Sequence, residues 1–241
     1  EYTYASDGIA TFTTPSNASS GTLQVSDIIT DLKADVNALT NYDCESIGNV
    51  LKIKRTDTRD FNIAVRGGVT NQAMTVIKES ANDIAELPFQ CFPDFIVKVN
   101  NTADSTADDY YVKFVPDGEG IPGAGSWEET VKPGIPVNLN SSTMPHALVR
   151  QANGNFTLGP LNSSSALTGW AGREVGDIYS NPDPAFVKKG ISNMFFFSNR
   201  LGFLSESSVI LSQPGDYFNF FQISAITVSD ADPISLSASS T

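Results

Sequence analysis

Between Asn193 and Phe221 the chain runs MFFF, LGFL, VILS and YFNFF, four short apolar blocks cut by SNR, SESS and QPGD. Blocks this short, each bounded by turn residues, suit strands rather than helices, and their even spacing predicts an antiparallel meander of four strands. Pro214 and Gly215 occupy the two central positions that a type II turn prefers. Phe195-Phe196-Phe197 and Val209-Ile210-Leu211 are apolar at consecutive positions, hence on both faces of a sheet. Such a sheet needs cover on both sides, as in a sandwich or between propeller blades. Arg200 and Asp216 are the two charges in this stretch that sit at strand ends, where each can tie neighbouring strands together.

The rest of the chain divides at PDGEGIPGAG, a concentration of breakers from Pro116 to Gly125. Before it, helix and strand patterns mix. GIATFTTP reads as an opening strand that stops at Pro15. Val25, Ile28, Ile29, Leu32, Val36 and Leu39 follow helical spacing, with Ser26 as the expected N-cap and Asp27 suited to the positive helix start. NVLKIKRT and FNIAV read as strands, AMTVIKE as strand or helix, and SANDIAELP as a short helix capped by Ser80. DFIVKVN and DYYVKFV alternate as strands. Residues 1–116 are therefore expected to form an α+β domain with an antiparallel sheet and one or two helices. Residues 117–241 are expected to be mainly β: SWEETV, HALVRQ, NFTLGP and REVGDI are short strand candidates that lead into the meander.

At 241 residues, with 40% hydrophobic and 17% charged side chains, the chain is long enough to bury a large core. Fifteen basic against 27 acidic side chains give a net charge of −12, which argues against a surface that grips phosphates. No apolar run is as long as a membrane span needs, and no charged, then apolar, leader opens the sequence. Cys44 and Cys91 lack metal-site spacing and read as two buried free thiols. Triplets of the Asn-X-Ser/Thr kind at Asn17, Asn100, Asn140, Asn155 and Asn162 carry little weight in sequence this rich in those residues. The chain begins at EYTY, without Met, and stops at SASST, so it is expected to be an internal fragment of a longer protein.

Catalytic chemistry finds little material. The single histidine, His146, has apolar neighbours and no GxSxG elbow to serve, so a structural role is expected. Glu128 and Glu129 are adjacent on a strand and face opposite ways, which prevents them from acting as a glycosidase pair. Trp127 and Trp170 are expected as core fillers before sugar platforms. The acidic stretches at 104–109 and 229–233 lack the ligand spacing of a calcium loop and read as solvated turns. Gly67-Gly68 and GEGIPGAG lack the lysine and helix of a phosphate loop. Lys52 and Lys54 of KIKR belong on one exposed strand face, with contact to a protein partner as the second reading. No catalytic, cofactor-binding or metal-ligating residue is assigned.

Several long runs, in order, resemble one family. TMPHALVRQANGNF, NPDPAFV, FFFSNRLGFLSESSVILSQPGDYFNFF and SDADPISLSAS are similar to the tail tubular protein B family, the tail nozzle of short-tailed, podovirus-type bacteriophages. Upstream, IAELPFQCFPDFIVKVNN, DDYYVKF and SWEETVKPG resemble it in the same order, so the likeness extends from about Val25 to Ser239. The resemblance implies a structural component of the virion tail, without catalysis or cofactor. It implies six copies in a ring around the channel through which DNA leaves, with an adaptor ring and tail fibres as partners. The α+β part would be platform-like, and the mainly-β part a piece of an incomplete β-propeller, since closure takes about four or more blades. Net acidity suits a conduit that DNA passes without specific binding. The alternative from the residues is a tail-associated enzyme that degrades envelope polysaccharide, or a carbohydrate-binding module.

Overall fold

The apolar stripe that begins at Val25 folds as expected into a helix, α1 (Val25–Ala38), with Ile29 and Val36 buried. Its cap differs from expectation. Gln24 is the N-cap residue, and the Asp27 carboxylate accepts the Gln24 N–H at 3.0 Å. A carboxylate at the positive end of a helix is a stronger partner than a hydroxyl, so Ser26 lies inside the first turn. The computed structural model describes residues 8–12, 24–65, 74–100, 109–161 and 169–238. Asn17, Asn162, Gly67-Gly68, most of the acidic stretch at 104–109 and the last three residues of the expected opening strand lie outside them; the described part of that strand, residues 8–12, forms none.

Asn37 ties α1 to the next element. Its Nδ2 donates to the Cys44 carbonyl at 3.2 Å and its Oδ1 accepts the Cys44 N–H at 2.7 Å. Cys44 is on β1 (Tyr42–Ile47), which pairs antiparallel with β2 (Val50–Arg55). The register sets Asp43 opposite Lys54 and Glu45 opposite Lys52, a charge-matched hairpin face. Lys54 reaches Asp43 at 2.9 Å and Glu45 at 2.8 Å. Arg55 grips Asp57 with Nε–Oδ1 at 2.8 Å and Nη2–Oδ2 at 2.7 Å. That guanidinium fork holds the Asp57 carboxyl at about 2, below its ordinary 3.8.

FNIAV and the described part of AMTVIKE form neither strand nor helix. Residues 61–65 keep the alternation of half-buried and exposed side chains but join no ladder. Side chains hold this stretch instead: Phe61 stands edge-on to Tyr42 at 5.4 Å, and Lys78 bonds Asp60 at 2.6 Å. SANDIAELP also departs from expectation. Ser80 belongs to a two-residue strand, β3 (Ser80–Ala81), and the helix shrinks to a 3-10 turn at Ile84–Glu86. Asp83 caps it, accepting the Ala85 N–H at 2.8 Å. Four more strands follow: β4 (Gln90–Cys91), β5 (Ile96–Val99), β6 (Tyr110–Pro116) and β7 (Gly123–Thr130). With β3 they form a sheet ordered β3-β5-β6-β7-β4. Trp127 lies edge-on to Phe114 at 5.2 Å, and its indole N–H donates to the Pro88 carbonyl at 2.9 Å.

The chain clusters into two compact units, Glu1–Val97 with Lys113–Glu128, and Lys98–Val112 with Glu129–Thr241. The second contains the hairpin β8 (His146–Arg150) and β9 (Phe156–Pro160), then β10 (Ile191–Phe197), β11 (Arg200–Ser205), β12 (Ser208–Leu211) and β13 (Ile234–Ser237). The last four form one antiparallel sheet in chain order. Described residues are thus mostly β, with one α-helix.

The first three strands of the meander are those expected, and the fourth is not. At the first turn Ser198 and Asn199 both have positive φ, 47° and 57°, as a two-residue hairpin of the I′ kind requires. YFNFF forms no strand. After Pro214-Gly215, Gln213 N–H donates to the Asn219 carbonyl at 2.9 Å, which curls the chain back and carries Phe218 and Phe220 to the core. The vacant edge is taken by β13, from beyond a long excursion. REVGDI is not a strand either; Gly176, at φ 74°, makes a single parallel bridge to Val131.

Leu201, Phe203 and Ile210 share one face of the sheet and pack with Met144, Phe186 and Phe220. Phe186 and Phe203 meet at 5.0 Å, Phe186 and Phe220 at 5.0 Å. Trp170 packs beside them, edge-on to Phe218 at 5.5 Å. On the other face the Phe195 ring lies over Gly202, where a Cβ has no room. Phe197 and Leu236 on that face are exposed. On the core face Met194 and Phe196 of β10 are exposed too, so the chain covers each face only in part.

Gly215 adopts φ 80°, a conformation that costs an L side chain about 1–2 kcal/mol. Gly215→Val should lower the unfolding free energy obtained from urea titration by that amount, and an unchanged value would disprove the turn. The Asp57 carboxyl, held low, stabilises the fold fully above 3.8, and the contribution disappears as the pH falls toward about 2. Asp57→Asn should flatten the acid-unfolding curve in that window; a curve of unaltered shape would show that the fork does not stabilise the fold.

Candidate functional site

Among the described residues of the second unit, the larger buried polar side chains, Arg173, Asn181, Arg200 and Asp232, hold irregular backbone. The main example is the excursion from Ser212 to Pro233 that separates β12 from β13. Arg200, the first residue of β11, is 7% exposed. Its Nη1 donates to the carbonyls of Ser212 at 2.7 Å and Asp232 at 2.6 Å, and its Nη2 to that of Asp230 at 2.5 Å. As expected, this charge ties strand ends together, though it does so through carbonyls. Asp216 uses its carbonyl, which accepts the Asn219 N–H at 3.3 Å.

Three further side chains pin the same excursion. Asp232 accepts the N–H groups of Ile223 at 2.9 Å and Ser229 at 2.7 Å. Asn181 donates to the Gln222 carbonyl at 3.2 Å and accepts the Gln222 N–H at 3.0 Å. Glu129 accepts the Ser224 hydroxyl at 2.7 Å and the Ala225 N–H at 2.8 Å. Arg173, 1% exposed, supports Asn181 from below. It donates to the carbonyls of Asn181 and Pro136 at 2.6 Å each, pairs with Asp183 at 2.8 Å and stacks on Phe221 at 5.0 Å.

These anchors decide the fate of the sequence candidates. Glu128 is exposed while Glu129 is committed to the loop, so the two carboxylates do not converge. Asp232 is a buried anchor rather than a residue of a solvated turn. His146 lies opposite Pro160, its Nδ1 3.1 Å from the Met144 carbonyl. Trp127 and Trp170 pack inside aromatic clusters. Cys44 and Cys91 are free and buried, and burial pushes both thiols up. Lys52 lies over Phe92 at 4.8 Å and Lys54 is ion-paired, which leaves KIKR an ordinary solvated face.

A hollow of about 250 Å³ borders Glu174, Gln213, Asn219 and Phe221. Gln213 already donates to the Phe221 carbonyl at 2.8 Å, and Asn219 accepts the Phe221 N–H at 3.2 Å. Among the described residues no group of three or more His, Cys, Asp or Glu is placed to hold a metal, and no helix is long and apolar enough to cross a membrane. The roles of Glu129, Asn181 and Arg173 escaped sequence reasoning because their partners are backbone groups. The only hint was a lone arginine in the GREVGDI stretch.

Arg200→Met should strand three carbonyls and destabilise the protein by about 2–4 kcal/mol. Limited proteolysis should then cut between 212 and 233, and full resistance there would show that other contacts hold the loop.

A family model described as bacteriophage nozzle protein matches residues 1–241. The chain is 36% identical over 178 residues to tail tubular protein gp12 of Escherichia phage T7, covering 74% of this chain and 21% of that relative. It therefore spans about a fifth of the length of this curated relative. With a match that runs from the first residue to the last, the conclusion is direct: the chain belongs to the bacteriophage nozzle family, and its place is the tail of a phage virion.

Proposed function

We propose that this structural tail component forms part of the nozzle wall, with six copies in a ring around the channel through which DNA leaves. The observation that carries this reading is the use made of its polar chemistry. The half-buried Glu129 and the buried Asn181, Arg200 and Asp232, the groups best placed to act on a ligand, are all bonded to the chain's own loop. A residue set that holds backbone in place builds a surface, and family membership supplies the setting.

The finer parts of the proposal follow from that setting. Residues 1–116 serve as a platform-like part, and residues 117–241 as a piece of a propeller in which β10–β13 is one blade. A four-stranded antiparallel sheet in chain order, with apolar side chains left exposed on both faces, supports the blade reading. An adaptor ring and tail fibres are the partners proposed beside further copies. The net charge of −12 favours a wall that DNA passes without specific binding.

Negative-stain images of the complete protein should show rings with a central hole, and capsule or peptidoglycan digests should release no product. Monomers that fail to bind an adaptor ring would overturn the assembly reading. Product release by clean protein would favour the polysaccharide-degrading alternative instead.

A further inference from the structure

The turn that joins β8 to β9 contains Asn153-Gly154, the one Asn-Gly pair in the sequence. Two main-chain bonds close it: Gln151 N–H donates to the Asn155 carbonyl at 2.7 Å, and Gly154 N–H to the Gln151 carbonyl at 3.0 Å. The Asn153 side chain adds a third, its Oδ1 accepting the Asn155 N–H at 3.0 Å. This Asx turn closes a ring of atoms that includes both the Asn153 Cγ and the Gly154 nitrogen, so the amide carbon is folded over the peptide that follows it. The same Asn155 N–H points at the oxygen on which negative charge develops when that carbon is attacked.

Asn140 provides a comparison within the chain. Its Oδ1 accepts the Ser142 N–H at 3.1 Å and the Ser142 hydroxyl at 2.7 Å, the same kind of turn built around Ser141. Ser141 is half-buried and carries a Cβ beside the nitrogen, whereas Gly154 is exposed and a Cβ there would meet nothing within 4 Å. Glycine thus leaves both the nitrogen and the space around it open.

We propose that Asn153 is a site of self-modification, at which the chain's own backbone removes the side-chain amide. The Gly154 nitrogen gives its proton to solvent base, releases the Gln151 carbonyl and attacks the Asn153 Cγ. A new C–N bond forms, the bond to Nδ2 breaks, and Nδ2 takes up a proton and leaves as ammonia. Water then opens the cyclic imide at either of its two carbonyl carbons. One opening gives aspartate; the other gives isoaspartate, which carries the main chain through Cβ. One water is consumed and one ammonia released, with no change of oxidation state. Isoaspartate adds a carbon to the main chain in a turn whose closure depends on the Gln151 and Asn155 pairing.

The test incubates the folded protein in mildly alkaline buffer and follows peptides containing 140 and 153 by mass spectrometry. Position 153 should change from amide to acid about tenfold or more faster than position 140, because only Asn140 is followed by a residue with a Cβ. The product should be a mixture that an isoaspartate methyltransferase labels, and the rate should rise with pH. Asn153→Gln, which lengthens the ring that must close, should remove this fast step while the melting temperature stays unchanged. An intact amide at 153, or conversion no faster than at 140, would overturn the proposal. Aspartate formed without isoaspartate would overturn it as well, since direct hydrolysis by water gives that product alone.

Discussion

A guanidinium buried without a carboxylate in its grasp must recover its lost hydration from dipoles, and Arg200 does so from three main-chain carbonyls. The carbonyls come from both ends of the excursion, Ser212 just after β12 and Asp230 and Asp232 just before β13. A single side chain thus closes the base of the loop and delivers β13 to the edge of the sheet. Asp232 extends the arrangement outward, since the residue whose carbonyl is held by Arg200 uses its own carboxylate to hold Ile223 and Ser229. Sheet and loop form one mechanical chain.

Legibility in the sequence followed the type of partner. Elements whose partners are apolar side chains or neighbouring strands stood out: α1, the hairpin β8–β9 and the strands β10 to β12. In β1 the alternation was disguised, because Asp43 and Glu45 look like loop residues until Lys54 and Lys52 appear opposite them. YFNFF misled for the reverse reason. Its aromatics serve the core from a turn, and aromatic content alone does not separate a strand from a curl beneath one. The anchors were least legible, because a carbonyl is present at every residue and leaves no mark in composition.

The distribution of charge links this architecture to a role in the virion tail. Acidic side chains dominate the chain, yet buried cations concentrate where irregular backbone must be held, and the neutral aliphatic residues of the excursion, Ile223, Ile226 and Val228, are left outside. Polar groups thus act internally while apolar groups face outward on the excursion, an inversion expected of a part made to fit into a larger object. The half-covered sheet points the same way: Phe197 and Leu236 wait for a surface that these residues do not supply.

The two thiols have a consequence of their own. A phage particle outside a cell has no reducing buffer around it, and oxidants attack cysteine as the thiolate. Cys44 and Cys91 are buried and held protonated, so neither offers that form readily. They fill space as small apolar groups and add no chemical weak point to a particle that has to wait, unrepaired, for its next host.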